Sequence, residues 1–160
     1  MSWLSCSGPR GRHWGRYGAA GLLLAAPMAD GWAVLLDERA DWVHHGGTVG
    51  VPGGAMHLGE RPIEAALREV HEEVHGLDTV EIDVVTEHEQ KCPDCGRWAY
   101  TTIVARTARP HPVQPRSFES AAVTWFAADQ VEQLSLHPGF AAAWPSLRSI
   151  LRTPGSPSSC

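Results

Sequence analysis

Acidic side chains are concentrated in one short segment of this 160-residue chain. Pro62 suits the first turn of a helix, where its missing N–H costs nothing. Steps of three and four residues relate Glu69, Glu72 and Glu73, so a helix places them on one face. Like charges at these spacings destabilise a helix by about 0.2–0.5 kcal/mol per pair, and Arg68 offsets only part of that. Because hard divalent cations take oxygen ligands, the segment predicts a Mg²⁺ or Mn²⁺ site; a solvated acidic helix face is the alternative.

A glycine-rich loop precedes the acidic helix. Residues 46–54 contain five glycines, interrupted by a short β-branched run. Glycine adopts positive φ and lets backbone N–H and C=O groups approach a ligand closely. The loop alone would be explained as a flexible hairpin connection. A strand, a glycine loop and an acidic helix in that order indicate a site for a metal-bound polyphosphate.

The fixed points of the loop and helix form one continuous pattern. They read Gly54, five residues, Glu60, seven residues, then Arg68-Glu69-Val70-x-Glu72-Glu73. This pattern resembles the Nudix box of the Nudix hydrolases, which cleave nucleoside diphosphates linked to another moiety. The pattern differs from that of the family at its C-terminal end. The family usually has one residue between the last glutamate and a glycine, whereas here Val74 and His75 precede Gly76. We interpret His75 as a one-residue extension of the helix before a Gly76 cap. The likeness covers roughly residues 12–150.

The resemblance implies an α/β fold, in which a mixed β-sheet lies between helices in an α/β/α sandwich. It also implies that water cleaves the substrate, with Mg²⁺ or Mn²⁺ as cofactor. Glu69 and Glu73 would be direct metal ligands, Glu72 a further or water-mediated one, and the Gly53 carbonyl another ligand.

The resemblance implies supporting roles as well. Arg68 would orient Glu69, and Glu60 would pair with Arg68 from one side. The carboxylate that acts as general base varies within the family, and Glu69 is our first choice. The number of metal ions stays open.

Four further candidates rest on weaker signals. Glu119 lies just before a predicted strand, where relatives often bring another carboxylate to the metal; a solvated loop glutamate explains it equally well. We expect Gly54, His44 and Tyr100 to contact the substrate, although His44 and Tyr100 are also compatible with ordinary edge or core packing.

The cysteines suggest a second, unrelated metal site. Cys92 and Cys95 form a C-x-x-C motif, which is half of a tetrahedral zinc site. Cys6 and His13 could supply the other half. We favour plain loop cysteines over structural Zn²⁺, and zinc over a redox pair; an intracellular setting argues against disulfides.

Composition limits the partners. Hydrophobic residues make up 43% and charged residues 19% of the chain, which is typical of a globular domain. The net charge of −5 does not suggest nucleic-acid duplex binding, so a small nucleotide is the expected partner.

The apolar run 18–27 follows three arginines as in a signal peptide, but it is too short to span a bilayer. We interpret it as a core strand and expect a cytoplasmic protein with no membrane contact; the oligomeric state cannot be read.

The chain divides into a flexible lead (1–12), a Nudix hydrolase domain (13–152) and a disordered tail (153–160). The first helix is expected to run through about His75, and residues 107–115 to be irregular. The other predicted elements are strands at Gly18–Ala26, Gly31–Asp37, Thr79–Glu87, Trp98–Arg106 and Ala121–Phe126 and helices at Ala128–Leu134 and Phe140–Arg152.

The sequence therefore favours a Mg²⁺-dependent pyrophosphohydrolase that converts a nucleoside triphosphate, oxidised or not, to a monophosphate. ADP-ribose and dinucleoside polyphosphates remain alternative substrates. A non-catalytic Nudix-fold regulator that binds a nucleotide is the alternative of another class. Such modules usually lose box glutamates, and this chain keeps all three.

Overall fold

The computed structural model describes residues 2–9 and 11–153. Within them the elements are β1 (Trp3–Ser5), β2 (Arg12–Trp14), β3 (Ala19–Met28), β4 (Gly31–Arg39), β5 (Val49–Gly50), β6 (Gly53–Ala55), α1 (Pro62–Glu73), β7 (Val74–His75), β8 (Asp83–Lys91), β9 (Ala99–Arg106), β10 (Gln114–Pro115), β11 (Ser120–Ala127), a 3₁₀ helix (Ala128–Gln133) and α2 (Pro138–Arg152).

The main sheet is mixed, as the sequence predicts. Its central path is β11-β4-β3-β9-β8, with β5 paired to β4 and β6 paired to β3. The β3–β9 pair is parallel, and the other pairs are antiparallel. The apolar run 18–27 thus supplies the central strand. No described helix is both long and apolar enough to cross a membrane.

Alternate side chains of β3 face the two helices, because neighbouring residues of a strand point to opposite faces. Leu22 packs in one apolar cluster with Val70 of α1. Leu23 packs in a second cluster with Trp144 and Leu147 of α2. One helix therefore covers each face of the sheet, which is the expected α/β/α arrangement.

The predicted extension of the first helix to His75 is wrong. The helix ends at Glu73, and Val74 already has extended dihedrals (φ −126°, ψ 123°). Val74 is fully buried and pairs with Pro115, while His75 pairs with Gln114. This short ladder replaces the last helical turn, and it also places a strand within the stretch that we expected to be irregular.

The fourth predicted strand is displaced along the chain. Val80 and Ile82, whose alternation suggested a strand, instead pack in a connection against the α1-side cluster. The strand itself is Asp83–Lys91, and its half-buried positions are mostly polar. Because both faces of β8 are polar, its sequence lacks the alternation that marks a half-buried strand.

The N-terminal lead differs from the expected flexible segment. Its strand β1 pairs with β2, with Trp3 opposite Trp14. The Trp3 and Trp14 rings meet edge to face at 5.0 Å, and the Arg12 guanidinium lies 4.2 Å from the Trp3 ring centre. These contacts stabilise a hairpin that the apolar periodicity of the sequence does not predict. At the other end, the predicted tail (153–160) lies outside the described residues except for Thr153.

Candidate metal and pyrophosphate site

Arg68 joins the first part of the box to the acidic face of α1. Its Nε and Nη2 donate to the two carboxylate oxygens of Glu60 at 2.8 and 3.1 Å. Its Nη1 donates to Oε1 of Glu69 at 2.8 Å, and Nη2 also reaches the Ala55 carbonyl at 3.0 Å. The bidentate pair lowers the pKa of Glu60 to about 2. The loop before the helix is therefore fixed to the helix by one guanidinium.

Glu69 lies beneath the glycine loop with only 8% of its surface exposed. Burial raises its pKa, and the Arg68 hydrogen bond opposes that shift. A Cβ at Gly54 would lie 2.5–2.7 Å from the Glu69 carboxylate atoms. Only glycine therefore lets the loop backbone approach this carboxylate so closely.

Glu73 is one helical turn further along α1. Its Oε2 accepts a hydrogen bond of 3.0 Å from the Gly53 backbone N–H. Burial first, and then the negative charges of Asp37 and Glu69, raise the pKa of Glu73 to about 9. A cation at this position would offset the negative charge and stabilise the ionised form of Glu73.

Asp37 is a carboxylate of the site that the sequence analysis missed. It ends the apolar run of β4, is 8% exposed, and its Oδ1 has no hydrogen-bond partner in the described part of the chain. Burial raises its pKa, while a hydrogen bond with Ser120 opposes the shift. The only sequence signal was an acidic residue directly after Val34-Leu35-Leu36.

Glu72 lies on the same helix but faces solvent. Its side chain is 60% exposed, and its carboxylate is 3.7 Å from Arg68 Nη1. The three glutamates that were predicted to share one helix face thus differ in exposure, from the buried Glu69 to the exposed Glu72.

Tyr100 supports the glycine loop from below. A Cβ at Gly53 would be 2.7 Å from its hydroxyl oxygen, and Gly21 is packed against the same atom. Burial and the nearby charges of Glu73 and Glu69 raise the Tyr100 pKa above its usual range. Its hydroxyl therefore borders the carboxylates, under the loop that we expect to bind substrate.

His44 and Glu119 are not brought into contact with these carboxylates. The His44 carbonyl accepts a hydrogen bond from Arg39 Nε at 2.9 Å, and its ring lies 4.0 Å from that of His45. The Glu119 side chain is exposed, while its carbonyl accepts from the Ala40 N–H at 2.8 Å. The negative charge of Glu119 helps to raise the Asp37 pKa.

The donor set fits a hard divalent cation. Glu69, Glu72, Glu73 and Asp37 offer carboxylate oxygens, and Arg68 is already engaged by Glu60 and Glu69. The buried Asp37 oxygen without a partner indicates that this set is short of positive charge. Oxygen-only donors suit Mg²⁺ or Mn²⁺ better than softer metals.

The family assignment rests on more than these contacts. The family model described as "NUDIX domain" matches residues 16–149. The chain belongs to the Nudix family. A crystal structure of a Nudix hydrolase from Mycobacterium smegmatis, RenU, is 44% identical, with a TM-score of 0.83 and 93% of each chain covered. The predicted family and α/β/α fold are therefore confirmed.

Two Nudix relatives of known sequence are similar over most of this chain. One is "Putative 8-oxo-dGTP diphosphatase 3" of Mycobacterium tuberculosis, 48% identical over 145 residues, which are 88% of this chain and 66% of the relative. The other is a "Nucleoside triphosphate pyrophosphatase/Nudix hydrolase fusion protein" of Bifidobacterium longum, 39% identical over 93% of this chain and 31% of the relative. The chain thus spans just under two thirds of the first relative and about a third of the second.

Proposed function

We propose that this Nudix chain is a Mg²⁺- or Mn²⁺-dependent pyrophosphohydrolase that converts a nucleoside triphosphate to its monophosphate. The observation that carries the proposal is the convergence of Glu69 and Glu73 on the backbone of Gly53 and Gly54. The carboxylates and the loop backbone there form one oxygen-rich surface. The cytoplasmic location is part of the proposal, because the apolar run 18–27 supplies the central strand of the sheet.

Glu69, Glu73 and the Gly53 carbonyl are the residues that we assign to hold the cation, with Glu72 as an outer ligand and Asp37 as a further buried carboxylate. Glu119 stays a weaker candidate, since its carboxylate is exposed. When bound, Mg²⁺ neutralises phosphate oxygens and lowers the pKa of water.

The remaining residues position these ligands. Arg68 contacts Oε1 of Glu69 at 2.8 Å and thereby fixes the rotamer of that side chain. Glu60 holds the guanidinium in place from the other side. We assign Oε2 of Glu69 to accept the proton of the attacking water, because Oε1 is engaged by Arg68.

The glycine loop is the part that we assign to the phosphate chain. Gly54 permits the loop backbone to lie directly against Glu69. Tyr100 supports Gly53 from below, and His44 lies on the connection between β4 and β5. Substrate contact by Gly54, Tyr100 and His44 stays a prediction.

We infer the substrate class from the M. tuberculosis relative, because the carboxylates and their metal would contact only the diphosphate of the substrate. The name of the M. tuberculosis relative points to 8-oxo-dGTP, and this favours an oxidised purine nucleoside triphosphate here. ADP-ribose and dinucleoside polyphosphates are the competing substrates. A non-catalytic regulator is disfavoured because all three box glutamates are present.

A substrate competition tests the proposal. Purified protein would be given equal concentrations of 8-oxo-dGTP, dGTP, ADP-ribose and diadenosine tetraphosphate with MgCl₂, and each product followed by ion-exchange chromatography. We expect the highest kcat/KM for 8-oxo-dGTP, with 8-oxo-dGMP as product. Preferred turnover of ADP-ribose or the dinucleotide would overturn the triphosphate assignment, and no turnover at all would overturn the hydrolase.

A further inference from the structure

Four potential metal ligands meet at a place away from the acidic helix. The ligand atoms of Cys6, His13, Cys92 and Cys95 all lie within 4.8 Å of one another. Cys6, His13 and Cys92 are buried and Cys95 is half-buried. The cysteines are free thiols, and the Sγ atoms of Cys6 and Cys92 are 3.6 Å apart. Two distant parts of the chain therefore converge on one point.

The separation of the two closest sulfurs fits a tetrahedral zinc site. With Zn–S bonds of about 2.3 Å, two sulfurs on one tetrahedron are separated by about 3.8 Å. The observed 3.6 Å between the Cys6 and Cys92 sulfurs is close to that value. A set of three sulfurs and one imidazole is a standard structural zinc set.

Backbone geometry supports thiolates at this place. The Cys95 sulfur accepts hydrogen bonds from the N–H groups of Arg97 and Trp98, which lower the pKa of that thiol to about 7. The Cys6 sulfur accepts one from Gly8 N–H, but burial and the hydrogen bonds with Cys92 and Cys95 raise the Cys6 pKa overall, so this thiol needs the metal to ionise. The C-x-x-C turn is closed by a 2.9 Å bond from Gly96 N–H to the Cys92 carbonyl, and Gly96 has φ +62°. N–H groups directed at sulfur favour its ionised form, which is the form that binds metal.

The fourth ligand is held in orientation by an aromatic neighbour. The His13 ring stacks on Trp98 at 4.5 Å with an angle of 6° between the planes. Trp98 is itself fixed, since its Nε1 donates to the Gly15 carbonyl at 3.0 Å. Packing that fixes the orientation of a ligand ring preorganises a metal site.

Besides the His13–Trp98 stacking, exposed hydrogen bonds join the N-terminal hairpin to the β8–β9 connection. Ser7 Oγ donates to the Asp94 carbonyl at 3.2 Å, and Arg97 Nη2 donates to the Ser5 carbonyl at 3.0 Å. Both bonds are exposed and contribute little by themselves. A metal ion bound by ligands from both segments would add a stronger link between them.

We propose that Cys6, His13, Cys92 and Cys95 bind one structural Zn²⁺, which fastens the β1–β2 hairpin to the turn between β8 and β9. On binding, each thiol loses its proton to solvent and donates a sulfur lone pair to the metal. The site is separate from the proposed Mg²⁺ site and does not depend on the proposed function. It revises the preference for plain loop cysteines.

Zinc analysis of the protein as purified, without added metal or chelator, tests this proposal. We expect about one zinc ion per chain, and a tetrahedral cobalt spectrum with sulfur-to-cobalt charge-transfer bands after exchange into Co²⁺. Cys95→Ser and His13→Ala are expected to lose most of the zinc, whereas the control Cys160→Ser, which changes the last cysteine of the sequence, is expected to keep it. Glu73→Gln is also expected to keep it, which separates this site from the carboxylates.

Because a cysteine variant can fail to fold, the wild-type protein provides a second readout. Zinc removal by a chelator is expected to expose three thiols to a thiol reagent and to increase proteolysis between β1 and β2, with reversal on adding zinc. A zinc-free native protein, a Cys6–Cys92 disulfide by mass spectrometry, or full zinc occupancy in Cys95→Ser would each overturn the proposal.

Discussion

The Glu73 carboxylate accepts a 3.0 Å hydrogen bond from the Gly53 N–H, which ties the end of α1 to the glycine loop. The bond places a poorly solvated acid against the loop backbone, and Asp37 and Glu69 add negative charge beside it. One amide N–H compensates only a small part of this charge. This hydrogen bond therefore holds the glycine loop beside carboxylates whose negative charge a bound cation would neutralise.

The first prediction concerns the stability of metal-free Glu73→Gln. The folded-state pKa of about 9 exceeds the ordinary value of 4.5, so the folded state binds the proton more tightly than the unfolded state. Protonation of Glu73 therefore stabilises the folded state; this stabilisation is complete below pH 4.5 and is lost as pH rises through 9. Glutamine mimics the protonated acid. We expect the variant to be more stable than wild type by about 1 kcal/mol or more at pH 8 in EDTA, and similar at pH 4.5.

Urea unfolding at both pH values measures this difference. Glu72→Gln is the control, because that side chain is largely exposed and its neutralisation should change little. If Glu73→Gln were destabilised at pH 8 in EDTA, the charge of Glu73 would not be the unfavourable element that we describe.

The second prediction separates Arg68 from an ordinary surface arginine. Arg68→Gln breaks a bidentate pair whose partner Glu60 is only 13% exposed. It leaves Glu60 with the His57 N–H as its remaining donor, and it removes the Arg68 donor of Glu69. We expect a loss of about 1–3 kcal/mol in the free energy of unfolding. Acid titration should reveal the same pair, because the lowered Glu60 pKa gives stability that is lost as pH falls from 4.5 towards 2.

The matched control is Arg61→Gln, which breaks the exposed pair with Glu64 on the same helix. Exposed pairs contribute little, so this variant should unfold like wild type. Equal destabilisation of the two variants would remove the special role of Arg68.

The third prediction tests the carboxylate that the sequence did not reveal. Asp37→Asn should weaken the apparent Mg²⁺ affinity by about 10- to 100-fold, as for other groups that support a metal site. Its neighbour Glu38 is exposed on the other face of β4, so Glu38→Gln is the control. Isothermal titration with MgCl₂ checks both, and unchanged Mg²⁺ affinity in Asp37→Asn would place Asp37 outside the site.

The fourth prediction concerns the close approach at Gly54. An alanine there would push its Cβ to within 2.5–2.7 Å of the Glu69 carboxylate, so the carboxylate or the loop must move. We expect activity to fall about 100-fold, because small displacements of catalytic groups are costly. Gly50→Ala is the control, since its Cβ would meet its nearest neighbour at 3.6 Å. Steady-state rates of the folded variants measure the effect, and near-normal activity in Gly54→Ala would contradict it.

The box could be predicted from sequence because its chemistry is local. The spacing from Glu60 to Glu73 lies mostly within one helix, where periodicity fixes which side chains are neighbours. The contacts of Arg68 with Glu60 and Glu69 were expected from the family resemblance, and both are present. The metal and catalytic roles remain predictions that the experiments above address.

Other features depended on pairing between distant segments. Asp37 becomes a site residue only because β4 lies beside β3 and the glycine loop, and no short-range pattern encodes that. The exit of α1 at Glu73 depends on the pairing of Val74 with Pro115. Likewise, Cys6 and Cys92 are 86 residues apart, so the cysteine cluster could be suggested from sequence but not located.

The most direct test of the central claim is the Mg²⁺ dependence of 8-oxo-dGTP hydrolysis in H₂¹⁸O by wild type and Glu73→Gln, with Glu38→Gln as the folded control. We predict that wild type and Glu38→Gln release ¹⁸O-labelled product only with Mg²⁺ or Mn²⁺, and that Glu73→Gln is slower by more than about 100-fold. Equal rates in wild type and Glu73→Gln, or turnover that persists in EDTA, would contradict the account.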